Sequence, residues 1–159
     1  MLENYIFKKI PLPDLEKAIS LIWTIFSEFE APEYCDEGVE EFKKFIAYDS
    51  MKEKVEASEI FLLGCYDDSK LVGIIGYNLK PHINLLFVDK VCHKRGIAKI
   101  LFGKMVDHCK SMNSMFIITV NSSPYAYKIY EKLGFTGTNT EQIVNGIRFY
   151  PMKYNNNMN

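Results

Sequence analysis

No two cysteines in the chain are spaced as CxxC. Cys35, Cys65, Cys92 and Cys109 stand far apart, and none belongs to a CxxC-plus-His pattern. That argues against zinc, no metal is expected, and in a reducing compartment the four thiols are expected to be free and space-filling. Long apolar runs are also missing. The opening MLENYIFKKIPLPDLEK carries charges and prolines but no apolar run of signal length, and no later stretch approaches bilayer-spanning length. A cytoplasmic protein without membrane association is therefore expected. There is no basic excess: 19 Lys and Arg against 20 Asp and Glu leave a formal net charge of −1, which argues against nucleic acid as the partner. Neither GxxxxGK[ST] nor GxGxxG occurs, so the usual glycine-rich phosphate loops are excluded. No internal repeat is evident.

What the chain does have is material for a core. Its 159 residues suit one domain, and 48% hydrophobic with 14% aromatic residues rules out bulk disorder. The polar tail NNNMN is expected to fray, leaving a single domain at 1–155 and a frayed tail at 156–159.

Periodicity sets the elements. YIFKKI (5–10) reads as a strand ended by Pro11 and Pro13. Leu15, Ala18, Ile19, Ile22, Ile25, Phe26 and Phe29 then mark one face of a helix. DEGVEEFKKFIAY (36–48) is a second, shorter helix, and the charged residues 50–58 are ambiguous. EIFLLGCYDD and KLVGIIGYNL form a hairpin about Asp67–Ser69. HINLLFV (82–88) and SMFIITV (114–120) read as buried strands, joined by a helix from Ile97 to about Lys110. SSPYAYKIYEKLG (122–134) is a helix with serine caps at one end and Gly134 at the other. FTGTNTE and IRFYPMKY flank the turn signal Asn145-Gly146. The order β-α-α-β-β-β-α-β-α-β-β predicts an α/β sheet, antiparallel at its start, with strands 82–88 and 114–120 as parallel neighbours.

Two stretches carry chemistry. HKRGIAK (93–99) lies between a buried strand and a helix, where unpaired N–H groups and the helix dipole make an anion site. Gly96 permits close approach or positive φ, Ala98 keeps the first turn low, and Lys94, Arg95 and Lys99 add charge. A βα turn with a solvated basic rim is the other reading, and the stretch alone does not separate them. NSSPYAYKIYEKLGF (121–135) brings Tyr127 and Tyr130 to the end of the neighbouring strand, where ligands of open α/β sheets favour binding.

Together, LLFVDKVCHKRGIAKILF resembles the acyl-CoA signature of the GNAT superfamily of N-acetyltransferases, and SPYAYKIYEKLGF is similar to that family's later tyrosine motif. The element order also fits the family over nearly the whole chain. The resemblance implies a mixed central sheet of about six to seven strands with about four helices and splayed parallel central strands. It implies that the backbone of Phe87 and Val88 pairs with the pantetheine arm of acetyl-CoA. His93, Lys94, Arg95, Gly96, Ile97, Ala98 and Lys99 would cradle the pyrophosphate. Asn121 would contact the pantetheine amides, with Ser123 and Ala126 in the following turn; Tyr127 would flank the cofactor and Tyr130 face its sulfur. His93 departs from the family's Gln or Arg, Ser123 from its Asn, and Lys90 from a common proline.

The activity implied is transfer of an acetyl group from acetyl-CoA to an amine of a small molecule or peptide. An alkylamine with pKa near ~10.4 is neutral in only about one molecule in 10³ at pH 7, so a base or a desolvating pocket matters. An N–H near Val88 is the expected oxyanion donor, and Tyr130 the acid to the leaving thiolate. The residue where many relatives carry an acid is Asn84, which cannot be a base. His82 and Glu30 are the candidates, with Glu28 and Glu33 beside the latter; a water relay is also open. The Cys92-His93 pair is set aside as a nucleophile and base, because adjacent side chains do not ordinarily meet. The acidic segment from Glu28 to Glu41 would favour a cationic acceptor such as a polyamine, an aminoglycoside or a lysine or N-terminal amine; a solvated helix face is the plainer reading. A non-catalytic acyl-CoA sensor on the same fold and an unrelated nucleotide binder are the alternatives. A homodimer through the C-terminal strands is compatible with the sequence.

Overall fold

The computed structural model describes residues 3–155, so the expected frayed tail lies outside the described residues. One sheet runs through the molecule. Its strands are β1 (Tyr5–Lys9), β2 (Phe61–Asp67), β3 (Lys70–Asn78), β4 (His82–Val88), β5 (Ile117–Ser122), β6 (Thr136–Gly137), β7 (Gln142–Val144) and β8 (Ile147–Asn155). The spatial order is β1-β2-β3-β4-β5-β8-β6, and β7 also pairs with β8. Every pairing is antiparallel except β4 with β5. The helices are α1 (Leu15–Phe29), α2 (Asp36–Phe45), α3 (Tyr48–Glu56), α4 (Ile97–Met112) and α5 (Tyr127–Leu133).

Each face of the sheet has its own core. On one, Leu15, Ala18, Ile22, Ile25 and Phe26 of α1 are buried at three- and four-residue steps, against Leu62, Ile74, Leu85 and Phe87 of the strands. On the other, Ile97, Leu101 and Met105 of α4 join Val72, Ile75, Ile83 and Ile118. Burial in these two clusters is the main stabilising term, about 1.5–3 kcal/mol for each large apolar side chain.

The expected elements appear with several corrections. FTGTNTE supplies only the two-residue β6, and the strand that enters the Asn145-Gly146 turn is β7, which follows that stretch; the pair raises the strand number to eight among the described residues. The ambiguous segment forms α3, anchored by a single fully buried side chain, Met51. The last helix starts at Tyr127, not at the serines. Ser122 belongs to β5, and the Ser123 hydroxyl accepts the Ala126 N–H at 3.1 Å, capping the turn that leads into α5. The strands read as buried on both faces instead alternate: β5 exposes Ile117, Thr119 and Asn121, while β4 leaves His82, Asn84, Leu86 and Val88 half-buried.

Two irregularities shape the centre. Tyr77 pairs with Ile83 and Gly76 with Leu85, so two steps along β4 answer one along β3. This β-bulge at Asn84 breaks strict alternation, which places Ile83 in one core and Leu85 in the other. Beyond it, β4 leaves β5: their parallel pairing covers only His82↔Thr119 and Ile83↔Val120. The carboxyl half of β4 therefore presents an edge inside the molecule.

Candidate active site

The orientation of that edge follows from one bond. The Asp89 N–H donates to the Val72 oxygen of β3 at 2.8 Å. Peptide groups alternate along a strand, so those of Phe87 also face β3, while those of Leu86 and Val88 face the gap. The backbone groups available there are thus Leu86 and Val88, not Phe87, which contributes its side chain.

The basic stretch closes one end of the gap. Lys94 takes φ 64° and Gly96 φ 82°, two left-handed turns that swing the chain from the strand into α4. Gly96 caps α4 without a side chain, so the N–H groups of Ile97, Ala98 and Lys99 are not capped from that position. His93 turns inward, and its Nε2 lies 2.7 Å from the Val88 oxygen. Arg95 turns the other way and donates to the Tyr5 hydroxyl at 2.6 Å.

Two cavities meet across the gap. One, about 400 Å³, is lined by Val88, His93, Lys94, Gly96, Ala98 and Lys99 on one side and Tyr125, Ile129 and Leu133 on the other. The second, about 310 Å³, is lined by Tyr34, Glu41, Phe42, Phe45, His82, Asn84, Asn121, Ser123 and Ile147. Glu30, Leu86, Phe87, Ala126 and Tyr130 line both and form the wall between them. A larger open groove of about 580 Å³ between α1 and the β2–β3 turn holds none of these shared residues. Four of its charges pair with one another, Lys90 with Glu28 at 3.1 Å and Lys70 with Asp89 at 3.7 Å.

The shared wall is where ionisation is perturbed. Burial pushes the Glu30 carboxyl up to about 7, with Glu33 adding to the rise and a Ser123 hydrogen bond opposing it. Burial, then the charge of Glu30, pushes the Tyr130 hydroxyl well above the usual phenol range, so it stays protonated. Tyr34 is raised by the same causes in the same order. His82 is lowered by burial, and its Nδ1 lies 2.7 Å from the Thr119 hydroxyl.

Most expected residues converge here. Val88, His93, Lys94, Gly96, Ile97, Ala98, Lys99, Ala126 and Tyr130 line the first cavity; Asn121, Ser123 and His82 line only the second. Tyr127 is not brought to either. It packs edge-on to Tyr150 at 5.2 Å, with its hydroxyl against Gly137. Of the three glutamates considered together, Glu28 pairs with Lys90. Glu33 accepts the Tyr125 N–H at 3.0 Å, and its backbone oxygen accepts from Arg148 Nη1 at 3.0 Å. Only Glu30 reaches the wall. Leu86, Ile129 and Leu133 were not expected. The signal for the last two is the stripe Ala126, Ile129, Tyr130, Leu133 at positions i, i+3, i+4 and i+7, which leaves Tyr127 on another face.

The residues suit coenzyme A: an uncapped helix start with basic neighbours for phosphates, and an inward strand edge for an amide-bearing arm. Comparisons agree with that chemistry. No curated protein matches the sequence. Among solved structures, the PaiA N-acetyltransferase of Thermoplasma acidophilum in complex with coenzyme A is 18% identical, with a TM-score of 0.81 over 95% of this chain and 98% of that one. A GCN5-related N-acetyltransferase of Rhodopseudomonas palustris is 17% identical, with a TM-score of 0.78 over 96% of each chain. An aminoglycoside 6′-N-acetyltransferase complexed with coenzyme A is 15% identical, with a TM-score of 0.71 over 97% of this chain and 98% of that one. At these identities the likeness concerns the fold. The sequence itself matches the acetyltransferase (GNAT) domain over residues 30–156, a span that holds the parted strands, the basic helix start and the shared wall. The chain belongs to the GNAT family of acetyltransferases.

Proposed function

We propose that this protein moves an acetyl group from acetyl-CoA to a primary amine by direct transfer, at the wall shared by the two cavities. The observation that carries this reading is that Glu30 and Tyr130 line both cavities, so each can touch a donor on one side and an acceptor on the other. Bound acetyl-CoA supplies the activated thioester carbonyl. The N–H groups of Ile97, Ala98 and Lys99, with Lys94 and Lys99, hold the pyrophosphate. The Leu86 N–H, next to the wall and directed to the gap, serves as hydrogen-bond donor to the thioester oxygen, in preference to the Val88 N–H one step further out.

Glu30 acts as the base. Its pKa of about 7 lets it ionise near neutral pH and take the amine's proton within the enclosed wall. Tyr130 remains a phenol and donates to the sulfur as it leaves. His82 sits at the β5-paired end of β4, away from the wall, and lines the acceptor cavity rather than acting on the proton.

The acceptor is a cation. Glu30 and Glu41 bring carboxylates to its cavity, and Phe42, Phe45 and Tyr34 supply apolar and aromatic wall. An aminoglycoside 6′-N-acetyltransferase and a spermidine N-acetyltransferase share the fold, and amines of those two kinds lead the panel. Thermal shift with acetyl-CoA, CoA and ATP, followed by thiol release over an amine panel, tests the reading. Stabilisation by the CoA ligands but not ATP, with amine-dependent release that falls at least ten-fold in Tyr130→Phe while acetyl-CoA affinity holds, is the expected outcome. Binding without thiol release on any amine would favour a non-catalytic acyl-CoA sensor.

A further inference from the structure

One polar contact in the first cavity is made by a residue that departs from the family pattern. His93 Nε2 lies 2.7 Å from the Val88 oxygen, and a carbonyl accepts, so Nε2 carries the hydrogen and donates. The Val88 oxygen points into the gap left by β5. The imidazole ring packs tilted against Phe29, at 5.7 Å between ring centroids, and Phe29 is stacked in turn on Tyr125 at 5.0 Å. Phe29 ends α1 and Tyr125 precedes α5, so the ring is set within the cavity by elements from both of its sides. An extended arm with amide groups that runs along the open edge of β4 must also reach Val88, and it approaches the same oxygen from the same side of the strand.

We propose that His93 is a displaceable plug on the cofactor lane: its ring holds the Val88 carbonyl in place of an amide of the pantetheine arm, and turns out when that arm seats. The proposal rests on the acetyl-CoA reading above. It makes His93 a positioning residue that sets cofactor affinity through the arm and not through the phosphates. No bond is made or broken in the exchange; one N–H donor to Val88 replaces another.

Two ligands separate the effects. CoA carries the arm, whereas adenosine 3′-phosphate 5′-diphosphate carries all three phosphates without it. In the intact protein, the His93 ring nitrogens are followed by ¹⁵N NMR, and both ligands are titrated by calorimetry against wild type and His93→Ala. The expected result is that CoA shifts the His93 ring signals and the diphosphate without the arm leaves them in place. His93→Ala is expected to tighten CoA about five-fold, the worth of one net hydrogen bond, with affinity for the arm-less diphosphate unchanged. A thermal melt of His93→Ala confirms that the variant is folded before affinities are compared, and the wild-type NMR arm does not depend on the variant. If CoA binds while the His93 signals stay put, or if His93→Ala weakens both ligands alike, the residue is a fixed strut or a phosphate contact and the proposal is overturned. If neither ligand binds wild type, the acetyl-CoA reading itself falls, and the plug with it.

Discussion

At pH 8 the Glu30 carboxylate is ionised in a wall built from Leu86, Phe87, Ala126 and Tyr130. Its folded pKa is raised from 4.5 to about 7, so the folded state binds the proton more tightly than the unfolded chain. The sign follows: the contribution to stability is fully present below about pH 4.5 and is lost as pH rises through about 7. Glu30→Gln removes that loss. It is expected to raise stability at pH 8 by at most roughly 3 kcal/mol relative to its effect at pH 4, as measured by urea melts at the two pH values. An unchanged difference between wild type and variant across that range would mean the carboxylate is well solvated. In the sequence, Glu28 and Glu33 stand beside the candidate Glu30 with no local feature to tell the three apart. Their separation is made by partners remote in sequence, Lys90 for Glu28, and Tyr125 with Arg148 for Glu33, which no local pattern reveals.

Among the elements, the entry to α4 shows how local backbone sets the cradle. Lys94 and Gly96 both have positive φ, and a Cβ on Gly96 would meet nothing within 4 Å. Gly96→Ala therefore costs conformational strain alone, about 1–2 kcal/mol, whereas Lys94→Gly relieves strain and recovers up to about 1 kcal/mol. Denaturant midpoints moving in opposite directions are the expected result; equal losses in both would mean that the Lys94 side chain matters more than its backbone. Elements governed by local chemistry were legible in the sequence. The stripe of α1, the Asn145-Gly146 turn with φ 52° and 79°, and Gly134 at φ 106° all appear where their residues place them. Those fixed by distant contacts were not. Helix α3 has one buried anchor, Met51, too little for a periodic signal, and the Asn84 bulge exists only in register with β3. Tyr127 was placed in the groove by its motif neighbours, although the Ala126–Leu133 stripe runs along another face.

For the molecule as a whole, the second cavity, where we place the acceptor, is bordered on one side by the β7–β8 hairpin. Its tip lies backbone-to-backbone on α2: a Cβ on Gly38 would collide with the Gly146 carbonyl, and Cys35 Sγ is 3.7 Å from the same oxygen. Ile147 of the hairpin and Phe42 of α2 both line that cavity. Gly38→Ala should push the hairpin away, destabilise the fold by about 1–3 kcal/mol, and raise the acceptor KM several-fold with CoA affinity unchanged. A matching loss of CoA affinity would show that the two cavities are not independent beyond their shared wall. The proposed transfer takes place at the wall between the two cavities, formed in part by Glu30 and Tyr130. Its most direct test is the pH dependence of amine-dependent thiol release under saturating acetyl-CoA, in wild type and Glu30→Gln. Wild-type turnover is predicted to rise with pH through a midpoint near 7, set by Glu30, and Glu30→Gln to be slow and without that limb. Superimposable profiles at equal rates would contradict the account.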